Sequence, residues 1–127
     1  MPSLLTSPAA LLSLVVVLGG SVVMGREGGL LGGLFFLPFC FGPLLVNAVL
    51  ATLWRRAWVQ VLLAGAALAH LLWFGWVWRD VKLHPDPQAA IAFLVVGPYA
   101  LPPFAAVWLL AWWLQRCAQG HAQTPQN

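Results

Sequence analysis

The side chains best placed to do chemistry are Asn47, His70 and Tyr99, because each falls deep inside a long uncharged run. A polar or ionisable group in such a run is costly without a partner, so it marks a ligand, an ion path or an interhelical contact. At a rise of 1.5 Å per helical residue, His70 and Tyr99 each fall about 3–4 Å to one side of the middle of their runs. A hydrogen bond between them is therefore expected to be within reach, and it would be ordinary interhelical glue. Asn47 falls about 7 Å to the other side, too far to join them directly. The acids Glu27, Asp80 and Asp86 all stand between the runs, which leaves His70 as the one buried group for proton coupling.

Other chemistry finds little support. No phosphate loop, nucleotide fingerprint, zinc-protease helix or nucleophile elbow occurs. Asp80, His84 and Asp86 share the segment Arg79–Gln88 but lack metal-ligand spacing, and Asp86-Pro87 reads as the N-cap and first residue of a helix. His84 and His121 fall outside the runs on opposite faces, so paired histidine ligation of haem is not expected. Cys40 and Cys117 fall at different depths, which argues against a disulfide. The reading is a non-enzyme with no cofactor and no metal.

Five prolines, Pro38, Pro43, Pro98, Pro102 and Pro103, lie within the apolar runs. Each removes a helical donor and crowds the preceding turn. Paired interruptions in membrane helices can frame a midplane site; the plainer expectation is two kinked helices in a compact bundle. Gly28 with Gly32, and Gly29 with Gly33, form overlapping small-residue patterns that permit close helix packing.

The elements that must position these residues follow from composition. The chain has 127 residues, of which 61% are hydrophobic and 7% charged, against roughly 25% charged in a soluble domain. A soluble fold this small leaves too much surface exposed to hide that apolar content, whereas a bilayer removes the difficulty. Charges leave four uncharged runs long enough to cross about 30 Å of hydrocarbon. The sequence predicts helices near 8–25, 29–54, 57–78 and 89–114, with short loops and a flexible tail at 117–127. The expected fold is all-α: a polytopic membrane protein, one domain over residues 1–127, forming a compact four-transmembrane-helix bundle with proline-kinked second and fourth helices. The runs lack the period-two alternation of barrel strands.

Tryptophans support two interfaces. Trp54, Trp58, Trp112 and Trp113 cluster around Arg55, Arg56 and Arg116, whereas Trp73, Trp76 and Trp78 cluster at Arg79. Trp108 lies deeper. The six Lys and Arg residues stand at the ends of runs, which reads as topology and lipid contact rather than a nucleic-acid patch. Arg55, Arg56 and Arg116 have no acidic neighbour, so their side is assigned to the cytoplasm, with both termini. Pro38, Pro43 and Arg56 recur as Pro98, Pro103 and Arg116, a faint parallel repeat with an offset of 60.

Two four-helix families invite comparison. Small multidrug-resistance transporters carry an acid in their first helix, and residues 8–25 contain none. The segment Gly42-Pro43-Leu44-Leu45-Val46-Asn47 resembles part of the second helix of fluoride channels over six residues, but the third run has one phenylalanine and no threonine. No family is assigned. The sequence therefore predicts a multi-pass protein, in a bacterial inner membrane, whose partners are lipid and a membrane protein or further copies of itself. Its expected role is an accessory subunit or immunity-type protein, with an oligomeric channel or small transporter as the alternative.

Overall fold

The computed structural model describes residues 6–122, apart from the side chains of Ala89 and Ala90. The described residues form three helices: α1 (Pro8–Leu53), α2 (Ala57–Leu83) and α3 (Ala89–Ala122). All three are long and apolar enough to cross a membrane. The all-α class fits, but the expected four-helix count is corrected to three. The stretch 25–29, read as a loop from its glycines and charges, is helical up to a single bend. Gly29 alone inside α1 leaves helical geometry, at φ 72° and ψ 174°. That conformation is nearly closed to residues with a Cβ. The bend stands at the end that carries Arg26, Glu27 and Lys82, where water can bond the few backbone groups it frees.

Laid straight, the 46 residues of α1 would extend about 70 Å, more than twice the hydrocarbon thickness. The bend instead brings its two arms side by side. Gly33 lies against the Gly25 backbone and Gly20 against the Phe41 ring. Asn47 reaches Ser13, and Ser7 reaches Ala51. Each pair steps away from Gly29 by similar distances in both directions, which is the signature of antiparallel arms.

The helix limits also move outward from the expected ones. α2 runs on through Arg79 to Leu83, and α3 continues through Arg116 to Ala122, into the stretch read as tail. Helical backbone runs through Pro38 and Pro43 in α1 and through Pro98, Pro102 and Pro103 in α3. The core joins both arms of α1 to the other two helices through Val16, Phe41, Leu44, Phe74, Val96 and Phe104. A second cluster, with Ala9, Ala51, Val59, Leu63 and Ala111, closes the end nearer Arg55. Large apolar side chains cover the outside, among them Leu31 at 83% and Leu72 at 74% exposure. Water would penalise that surface, whereas lipid tails solvate it.

Candidate functional site

Asn47 is fully buried and ties every helix together. Its Nδ2 donates to Ser13 Oγ and to the Leu63 carbonyl, both at 3.0 Å. Its Oδ1 accepts from Trp108 Nε1 at 3.1 Å. One side chain thus joins the first arm of α1, α2 and α3 from a position on the second arm. Ser13 completes the chain by donating to the Ala9 carbonyl at 2.9 Å. In the sequence Trp108 is a deep tryptophan and Ser13 carries no signal of its own. A buried indole N–H needs an acceptor, and that was the available signal.

Gln60 forms a second polar knot one to two turns nearer the Arg55 end. Its Nε2 donates to the Ala51 and Trp54 carbonyls, each at 2.7 Å. These belong to the last turn of α1, where helix carbonyls lose their partners. Its Oε1 accepts from Ala9 N–H at 3.3 Å, at the opposite end of the same helix. The Ser7 hydroxyl lies 2.8 Å from Gln60 Oε1 and 3.0 Å from the Ala51 carbonyl, and its one proton serves one or the other. Ser7 also N-caps α1 by accepting from Ala10 N–H. One glutamine therefore satisfies both ends of α1. Sequence places Gln60 and both ends of α1 near the arginine-rich end, but it does not give the direction in which the amide points.

His70 is the opposite case. It is 2% exposed, yet neither ring nitrogen has a hydrogen-bond partner among the described residues. The Cys40 backbone lies beside the ring without closing a bond of good geometry. Aromatic rings enclose it: Phe41 and Phe104 stand 6.1 and 5.7 Å away between centroids. Tyr99 is 69% exposed and forms no bond with His70. The two residues instead line one cavity of about 390 Å³ between α2 and α3, with Trp73, Ala100, Pro103 and Phe104. Its walls are almost wholly apolar. The ring nitrogens themselves are sealed from it, so His70 presents the cavity with carbon rather than nitrogen.

The prolines shape a close contact between α1 and α3. Pro43 cannot donate to the carbonyl of Phe39 one turn earlier. That freed oxygen lies against Gly97, where an added Cβ would overlap it. The glycine preceding Pro98 therefore receives the carbonyl released by Pro43. One residue on, Cys40 Sγ donates to the Phe93 carbonyl at 2.9 Å. Of the small-residue pattern at the bend, Gly33 meets backbone, whereas an added Cβ on Gly28, Gly29 or Gly32 would meet nothing.

The two ends differ electrostatically. At the Gly29 end, Lys82 pairs with Glu27 at 2.6 Å, and His84 stands 3.3 Å from Asp80. Asp86 accepts from Gln88 N–H at 3.0 Å in the turn before α3. At the other end, Arg116 stacks on Trp112, 4.5 Å from the ring centroid. Among the described residues no group of three His, Cys, Asp or Glu side chains could share a metal ion. Comparison with protein-family models, curated proteins and solved structures gave no match.

Proposed function

We propose that this small membrane protein is a non-enzymatic accessory or immunity-type protein, acting through lateral contacts with another membrane protein in a bacterial inner membrane. One observation carries the reading: the buried amides Asn47 and Gln60 and the serines bonded to them serve packing between the protein's own helices. Such groups line a path for ions or polar solutes only when some of their bonding capacity faces the path. Here that capacity is spent inward, and the outer surface is left to recognise a partner by shape. Both termini are assigned to the cytoplasm, the side of Arg55, Arg56 and Arg116. The test is purification of the tagged full chain in mild detergent. A single membrane protein should accompany it in fixed stoichiometry, and liposomes containing the pure chain should pass no ions or small solutes.

A second reading rests on His70. A buried imidazole whose nitrogens have no partner among the described residues borders a cavity of about 390 Å³, and a ring rotation that turned a nitrogen into the cavity would give a channel or carrier its polar group. Solute flux in liposomes that His70→Ala abolishes would establish that reading and displace the first.

A further inference from the structure

We propose that the groove between α2 and α3 at the arginine-rich end is a binding site for one anionic phospholipid, its headgroup at Arg56 and an acyl chain between the helices. The groove holds about 660 Å³, and Trp58, Leu62, Leu110 and Leu114 form its walls. That is the size of a small-molecule site, and its lining is apolar except where Arg56 and His121 stand at one end. Such a lining matches a molecule with a hydrocarbon body and a charged head.

Charge selects the head. Arg55, Arg56 and Arg116 gather at this end without an acid among the described residues, because Glu27, Asp80 and Asp86 all lie at the other. Arg116 is already committed to the Trp112 ring, and Arg55 Nε contacts the Thr52 carbonyl. Arg56 is exposed and has no ion pair among the described residues. An anionic headgroup supplies the missing counter-charge, and a guanidinium binds phosphate in a two-pronged geometry. A zwitterionic lipid would fill the groove equally well but would bring no net charge to Arg56. Trp58, 79% exposed beside Arg56, suits the level where tails meet headgroups.

Native mass spectrometry of the full chain, released from mild detergent with equimolar phosphatidylglycerol and phosphatidylcholine, tests this. The wild type should retain phosphatidylglycerol about fivefold over phosphatidylcholine, which corresponds to roughly 1 kcal/mol for one cation at an anionic surface. Arg56→Gln should bring the ratio close to parity. Arg79→Gln, at the opposite end, should leave it unchanged, and Leu110→Trp should reduce retention of both lipids by filling the groove. Equal retention by the wild type would overturn the proposal. So would an unchanged ratio in Arg56→Gln, displacement of the lipid by millimolar inorganic phosphate, or a lipid-free dimer as the main species.

Discussion

Replacing Asn47 with leucine would strip partners from Trp108, Ser13 and Leu63 at once. Interhelical bonds in membranes are individually modest, so the expected loss is roughly 1–3 kcal/mol, read from unfolding in mixed micelles. His70→Leu should behave differently. The histidine carries two unpaired buried nitrogens, and removing such groups relieves an unmet desolvation cost. Thermal unfolding in detergent should show a midpoint unchanged or raised, and a clear fall would mean that the ring is hydrogen-bonded after all. Asn47, His70 and Tyr99 all stood out in the sequence as polar residues in apolar runs, yet only part of their surroundings was legible. Depth follows from counting residues, but direction around the helix does not. His70 and Tyr99 thus reach one cavity while Tyr99 points largely outward. The partners of Asn47 were hidden for a related reason: serine and tryptophan are common in membrane helices and carry no mark of what they bond.

Two glycines divide the work among the helices. Gly29 supplies a backbone angle, and Gly97 supplies room. Gly29→Ala should cost about 1–3 kcal/mol, because its φ and ψ are almost exclusive to glycine. Gly28→Ala and Gly32→Ala, whose new methyl groups meet open space, should be close to neutral or slightly stabilising. Gly97→Ala must push the Phe39 carbonyl aside, and a loss of about 1–3 kcal/mol or more is expected in the same micelle assay. Comparable effects from all four substitutions would contradict the division. The helical class was readable because uncharged runs of crossing length leave the backbone no other economical structure. The count was not, since glycines and charges at 25–29 resemble a loop in composition, although the chain needs only one residue to turn. The far limits of α2 and α3 are not legible for a similar reason: charges end the apolar run but do not end the helix. α2 and α3 therefore extend past Arg79 and Arg116.

The whole molecule has a polar knot near one end, an aromatic core and an apolar coat. Charge is paired at one end and cationic at the other. Membrane residence was legible from composition, because 7% charge cannot cover a soluble surface of this size. The use proposed for the coat was not, since recognition by apolar shape would leave no motif. Membrane residence requires that lipid separate the two charged ends. Single-cysteine labelling in intact cells with a membrane-impermeant maleimide tests this directly, using Gly28→Cys and His84→Cys at one end and Arg55→Cys and native Cys117 at the other. Positions 28 and 84 should label readily, while positions 55 and 117 should label only after the membrane is permeabilised. Equal labelling of all four without permeabilisation, or a split that separates 28 from 84, would contradict the account.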